Sequence, residues 1–414
     1  MDHAGTKVPF LYPHTKLNDV NYPSSSLLCL HQSEVDVTFT ATSSTENVLG
    51  SGGFVDVRIP AGSTSIVTHM VIELTIRAGS TGIVVMPVPI VWVFDRIELL
   101  GESGATLISR HEPQQLISPL RHLSEAQLQL LQRPLNFWSG RVATEYGTHG
   151  AYPQAQFMSM APNQEKTYYV PITDCALTTN KIFCGGLRSD LYVRCWFRGP
   201  SAFLLDGVGT MPALKTLNVI LTQDALSPRE RQQMMYRYQS ESLDFRFQRP
   251  SFQSMRATLG PSQRYQWQLS AVMGLVTELI ITVVPDNSPA GLRNGFAQIS
   301  SYEILDGSGA SVLGGSAIKE DFATLVKAAR KTQSRALFAC KYGEADNVIV
   351  VEFGDSKANQ DSGIVSGYLP MDGSYQLAIS TPPGFQAADY EVRVEYLSCA
   401  RLNISKGQLT VHPS

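Results

Sequence analysis

Residues 390–396 alternate strictly, with Tyr390, Val392, Val394 and Tyr396 pointing one way and Glu391, Arg393 and Glu395 the other. That is the period of a half-buried β-strand. Residues 191–197 repeat it, with Leu191, Val193, Cys195 and Phe197 on one face and Tyr192, Arg194 and Trp196 on the other. Val348 to Phe353 is apolar apart from Glu352, which predicts a strand covered on both sides. Turn-forming clusters separate these stretches at Gly50 to Gly53, Asp306 to Gly309, Asp372-Gly373 and Pro382 to Gly384. Helices are few. Ser124-Glu-Ala-Gln127 has capping-box form ahead of Leu128 and Leu131, and Pro134 ends that run. Ser227-Pro-Arg-Glu230 combines a cap, a proline at the first helical position and the reciprocal glutamate, predicting a helix over 228–239. A third helix is expected over about 317–331, with Ile318, Phe322, Leu325, Val326 and Ala329 on one face.

The pattern occurs twice. ELLGESGATLI at 98–108 returns as EILDGSGASVL at 303–313, with Glu98, Leu100, Ser103, Gly104 and Ala105 identical to their counterparts. Carried backwards without a gap, the match pairs Glu73 and Leu74 with Glu278 and Leu279. VDVTF at 35–39 faces LDFRF at 243–247. Tyr169, Pro171, Asp190, Val193, Arg194 and Phe197 face Tyr368, Pro370, Asp389, Val392, Arg393 and Tyr396. Leu217-Asn-Val is a further candidate partner for Leu402-Asn-Ile, as each copy's final strand. Matches in one order at slowly drifting offsets mean two copies of one domain. The reading is an N-terminal arm over 1–34, one domain over 35–222, a linker helix within 223–242 and a second domain over 243–414.

Each copy then has roughly eight strands with one helix inserted near its middle. Immunoglobulin-like sandwiches need about 100 residues and often carry a Cys, Trp, Cys spacing. These units are nearly twice that size and lack it, so the expected class is all-β, a tandem pair of jelly-roll sandwiches with a few short helices. Thr173 to Ser189 and Asp372 to Ala388 are matched in length as loops, which predicts that neither copy carries a large tower there.

Composition narrows the partners. Charged residues make up 17% of the 414-residue chain and apolar ones 43%, so subunit contact is one explanation for the low charge and a neutral Ser/Thr/Gln surface the other. Net charge is −3, leaving no overall attraction to nucleic acid, and the basic stretches Arg229 to Arg256 and Lys319 to Arg335 read first as solvated faces. The six cysteines lack CxxC spacing and the chain opens without a signal peptide, which predicts synthesis in a reducing cell interior. The longest apolar stretch, Ile83 to Phe94, is too short to span a bilayer and contains Pro87 and Pro89.

A search for catalytic chemistry returns little. The eight histidines are dispersed, without the His-x-His pair of a metal-binding jelly roll, so no metal or other cofactor is expected. Gly101-Glu-Ser-Gly104 lacks the spacing of a nucleophile elbow, and its recurrence in both copies reads as a strand-joining turn. Gly50 to Gly53 is not followed by the Lys-Ser/Thr of a phosphate loop. Glu98 and Glu303 could form a glycosidase dyad only if the copies faced one another.

Three segments carry a resemblance. These are Phe94-Asp-Arg-Ile-Glu-Leu-Leu-Gly-Glu-Ser-Gly ahead of the 124 segment, Tyr169-Val-Pro-Ile leading to Leu191-Tyr-Val-Arg, and Ile299-Ser-Ser-Tyr-Glu-Ile-Leu in the second copy. Over nearly the whole chain the pattern resembles the double jelly-roll major capsid proteins of icosahedral double-stranded DNA viruses. That family includes the adenovirus hexon and the coat proteins of membrane-containing tailless phages, virophages and large eukaryotic DNA viruses. The resemblance implies a non-enzymatic virion protein, a homotrimer whose six jelly rolls form a pseudo-hexagonal capsomer. Its implied partners are neighbouring capsomers, minor capsid or penton proteins and, where one exists, an internal membrane. Expected assembly contacts are Phe10, Leu11 and Tyr12 of the arm, Ser227, Glu230 and Arg231 of the linker helix, and Lys327, Arg330 and Lys331 of the third helix. Two other readings stay open: a membrane-shaping viral scaffold of the same fold, and a carbohydrate-active or amidase double jelly roll with a carboxylate-lined cleft between its domains.

Overall fold

A computed structural model describes residues 34–41, 48–81, 84–85, 90–117, 130–131, 133–136, 159–172, 175–199, 211–285, 297, 299–312, 348–353 and 367–413. The arm, apart from Glu34, and the helix expected over 317–331 lie outside these residues, as does most of the 124 segment. In the first half the strands are β1 (Glu34–Thr40), β2 (Phe54–Ile59), β3 (Ile66–Arg77), β4 (Val84–Val85), β5 (Phe94–Gly101), β6 (Thr106–His111), β7 (Ser159–Met160), β8 (Glu165–Pro171), β9 (Leu191–Phe197) and β10 (Ala213–Asp224). In the second they are β11 (Ser242–Leu259), β12 (Arg264–Gln268), β13 (Met273–Pro285), β14 (Ser301–Leu305), β15 (Val348–Glu352), β16 (Leu369–Asp372), β17 (Gln376–Ser380), β18 (Ala388–Ser405) and β19 (Gln408–Pro413).

The first half stacks sheet β1-β10-β3-β8 on sheet β2-β9-β5-β6. The second repeats the order, with β11-β18-β13-β15 against β12-β17-β14 and with β16 and β19 added to the larger sheet. Every pairing is antiparallel. The central repeat holds at residue level. Glu73 on β3 lies opposite Tyr169 of β8 and Asn218 of β10, and Glu278 on β13 lies opposite Glu352 of β15 and Leu397 of β18. The Ser-Gly-Ala motif is the hairpin turn in both copies, where Gly104 (φ 98°) and Gly309 (φ 84°) take a conformation that other residues adopt only with strain.

Three of the sequence matches require correction. Asp190 to Phe197 leads into and forms β9, an inner strand of the smaller-numbered copy's β2-β9-β5-β6 sheet, whereas Asp389 to Tyr396 lies on β18 in the opposite sheet type. The true counterpart of β9 is β17. Consequently Thr173 to Ser189 and Asp372 to Ala388 are not matched loops: the second contains β17, while the first folds inward, burying Cys175, Ala176, Leu177, Ile182, Phe183 and Cys184. The inference about towers loses its basis. Leu217-Asn-Val and Leu402-Asn-Ile do lie on counterpart strands, but Asn218 corresponds to Leu397, not Asn403.

Packing does not divide at residue 243. The 18-residue strands β11 and β18 pair along their full length and serve two cores in succession. Tyr390, Val392, Val394 and Tyr396 enter the second core, while Ala400, Leu402 and Ile404, further along the same face of the strand, enter the first. Leu243, Phe245 and Phe247 of β11 also pack in the first core; β11 holds the place of β1 in its sheet, with Val35 corresponding to Phe245, so VDVTF and LDFRF lie on counterpart strands two residues out of register.

The linker helix spans Pro228–Ser240 and starts as its sequence predicts: the Ser227 N–H donates to Glu230 Oε2 at 3.0 Å, and the Glu230 N–H donates to Ser227 Oγ at 3.4 Å. It docks through Tyr238, whose hydroxyl accepts the Phe183 N–H at 3.0 Å and whose ring meets Phe183 edge-on at 5.5 Å. Gly186 makes room for that ring, since a Cβ there would lie 2.6 Å from Tyr238 Cγ. Gly186→Ala is expected to displace the helix and cost about 1–3 kcal/mol, seen as a lower denaturant midpoint with the slope unchanged.

Candidate functional site

Of the expected assembly residues, Phe10, Leu11, Tyr12, Lys327, Arg330 and Lys331 lie outside the described residues. The other three have work within the chain. Ser227 and Glu230 cap the linker helix, and an Arg231 guanidinium N–H donates to the Gly62 carbonyl at 3.0 Å. What the sequence did not mark on that helix is Tyr236, 70% exposed beside Arg229, Gln232 and Gln233. Glu98 and Glu303 are each engaged in their own sheet, Glu98 accepting from Arg96 and Trp196 at 2.8 Å and Glu303 from Arg264 at 2.9 Å, so they form no dyad.

The densest concentration of buried charge is at the junction of the two sandwiches. The polar face of β18, expected to be solvated, is covered there: Arg393 is 4% exposed and Glu395 0%. The cover comes from the first sandwich, where β6 approaches β11 and the short helix Pro113–Ile117 approaches β18. Arg393 donates to Glu112 Oε2 at 2.9 Å, and Arg110 donates to Glu112 Oε1 at 2.7 Å. Glu391 and Glu395 lie 3.6 and 3.8 Å from other nitrogens of Arg393. The Gln115 N–H donates to Glu395 Oε2 at 2.8 Å, and its side-chain amide reaches the carbonyls of Ser251 and Tyr396 at 2.8 and 3.2 Å. The Phe252 ring lies under both guanidinium groups, 4.7 Å from Arg393 and 5.4 Å from Arg110.

Burial dominates the electrostatics of this cluster. It pushes Glu395 up to about 8, against the pull of Arg393 and with the Glu112 charge adding to the rise. Glu112 is also raised, because burial outweighs the attraction of Arg393 and Arg110. Arg198, stacked 5.2 Å from Trp92 nearby, is pulled down to about 10 by burial and by Arg393. Burial thus favours the protonated form of Glu395, and the charge of Arg393 is answered by Glu112 and Glu391. Ser109 and His111 form a further pair, Oγ to Nε2 at 3.0 Å, with the imidazole held neutral by burial that lowers it to about 4. Both are buried, at 0 and 2% exposure, and a dispersed Ser-x-His gave no signal in the sequence. Among the described residues no group of three or more His, Cys, Asp or Glu is placed to hold a metal ion.

No protein-family model matches the sequence, and no curated protein is similar to it. Solved structures are. The PBCV-1 protein VP54, fitted into a reconstruction of the virophage Sputnik, superposes with a TM-score of 0.64 at 12% identity, covering 93% of this chain and 98% of that one. The Faustovirus major capsid protein gives 0.57 at 7% identity over 98% of both chains, and a quasi-atomic model of the PBCV-1 capsid gives 0.56 at 12% identity, covering 93% and 98%. The chain has the double jelly-roll fold. Its two rolls are joined by the ion cluster and by the shared β11–β18 ribbon.

Removing one member of this cluster leaves the others buried and uncompensated. Arg393→Ala is expected to cost about 3–5 kcal/mol, measured by equilibrium unfolding. The raised Glu395 carboxyl binds a proton in the folded state that an unfolded chain releases near its ordinary value. Its contribution therefore falls as pH rises from that range through about 8. Glu395→Gln should match the wild type in melting temperature near pH 4 and exceed it increasingly toward pH 8.

Proposed function

We propose that this chain is a viral major capsid protein. It acts without catalysis: three copies associate into a pseudo-hexagonal capsomer, and capsomers tile an icosahedral shell. The observation that carries the reading is likeness over 98% of both chains to a protein described as a major capsid protein, despite 7% identity. A double jelly roll retained so completely without sequence similarity fits selection on shape and on edges, as tiling demands. The junction chemistry agrees. Glu112 is enclosed and linked to Arg393 and Arg110, and Glu395 is enclosed and accepts the Gln115 N–H, so the carboxylates between the rolls form a lock and not a substrate cleft.

On this reading the protein is made in the host cell interior and resides in the virion capsid. Its partners are copies of itself, neighbouring capsomers and minor capsid or penton proteins. Phe10, Leu11 and Tyr12, with Lys327, Arg330 and Lys331 and the linker helix around Ser227, Glu230 and Arg231, supply lateral contacts between capsomers.

Light scattering on a sizing column should find a species of about 136 kDa, three times the 45.4 kDa chain. A stable monomer would overturn the capsomer. Deleting residues 1–20 should leave that species intact while reducing shell assembly, and normal shells from the truncated chain would remove the arm from the list of contacts.

A further inference from the structure

Arg393 stands between two carboxylates that belong to different rolls. Across the junction its Nη2 donates to Glu112 Oε2 at 2.9 Å. On its own strand its Nε lies 3.8 Å from Glu395 Oε1, too far for a hydrogen bond. Both atoms are buried, and neither has a hydrogen-bond partner among the described residues. Residues two apart on a strand share a face, so no backbone movement is needed to bring these atoms together. A shift of about 1 Å makes the contact an ordinary charge-assisted bond. Complementary atoms buried this close and left unbonded mark a second position for the guanidinium.

The groups around Glu395 decide which position is taken. Glu391 and Arg393 share its strand, β6 supplies Arg110 and Glu112, and Arg198 and Asp95 act on the same cluster. The helix Pro113–Ile117 contributes the Gln115 N–H, 2.8 Å from Glu395 Oε2. β11 and β13 place the uncharged Phe252 and Ile280 opposite Glu395, with Glu278 two residues further along, opposite Leu397. Protonated, Glu395 makes little electrostatic claim on Arg393, and the guanidinium is left to Glu112. Ionised, it is a buried carboxylate repelled by Glu112 and drawn to the unbonded Nε of Arg393. Two carboxylates then compete for one cation, and only one of them holds the rolls together.

We propose that Glu395 is a proton-operated switch of the junction: protonated, it leaves Arg393 to Glu112 and the rolls are clamped, and ionised, it takes Arg393 back to its own strand and the clamp loosens. Burial holds this carboxyl up to about 8 while the junction is closed. Opening the junction to water returns it to the ordinary glutamate range of about 4.3. A value raised by closure means that closure takes up a proton. The added stability is complete below the ordinary range and is lost as pH rises through about 8, so acid tightens the joint and alkali releases it. Glu112, also raised by burial, acts in the same direction. The switch works within one chain and needs no second copy.

The test compares amide hydrogen exchange in the full-length wild type and in Glu395→Gln, which is uncharged at every pH. Residues 110–117 report the junction, and β17 (Gln376–Ser380) serves as an internal reference within the second roll. Taking the ratio of the two proteins at each pH removes the intrinsic base catalysis of exchange. Protection of 110–117 in the wild type relative to the variant should fall by up to about tenfold per pH unit from pH 5 to pH 8 and then level off, with β17 equal in both. The same ratio at every pH would overturn the switch. Should the variant fail to fold, wild-type crystals grown at pH 6 and pH 9 decide the matter. An Arg393–Glu395 contact shortened to below about 3.2 Å at pH 9, with the Arg393–Glu112 bond lengthened, supports the proposal. Both distances unchanged between the two crystals refute it.

Discussion

A charged strand face placed against another domain must find countercharges or lose its charge. β18 meets that constraint in both ways: Arg393 is answered by Glu112 across the junction, and burial shifts Glu395 toward its protonated form. The arrangement has directional demands. Arg393 reaches Glu112 only if β6 ends where the helix Pro113–Ile117 can turn over β18, and Gln115 then spans to two backbone carbonyls of β11 and β18. Buried ion pairs add little net stability compared with apolar packing of the same volume, but they tolerate few alternative geometries. At this junction they fix how one roll sits on the other.

The outer face of the first roll's larger sheet shows what the same sheet looks like without such a cover. Where the second roll carries Glu395 and Leu397 on its last long strand, the first carries Thr216 and Asn218 at the same places on β10, a hydroxyl and an amide. That surface is stable in water and demands no countercharge. Duplication produced two equivalent sheets, and their outer faces have diverged according to what lies over them.

Local chemistry was legible in the sequence, and long-range placement was not. The Ser227 capping box and the Ser-Gly-Ala turns depend on neighbours within a few residues, and both appear in the structure where the sequence puts them. The strands of the central repeat could be aligned because a distinctive turn anchors them. β9 and β18 share only alternation with an arginine and an aromatic, which any half-buried strand can have, and so non-equivalent strands were matched. Period two showed that Glu391, Arg393 and Glu395 share a face, but it carries no information about what covers that face. Ser109 and His111 were silent for the same reason: their pairing follows from being enclosed together.

The continuity of β11 and β18 has a consequence for the history of the chain. Each strand contributes side chains to both cores, so the first roll's interior is completed by residues of the second half, whereas the second core draws on the second half alone. A gene cut at the midpoint would yield two fragments with exposed apolar seams, and exchanging one roll for that of a distant relative would leave Leu402 and Phe245 facing the wrong partners. Whatever independence the ancestral units possessed has been surrendered, and the duplicated chain now evolves as one module.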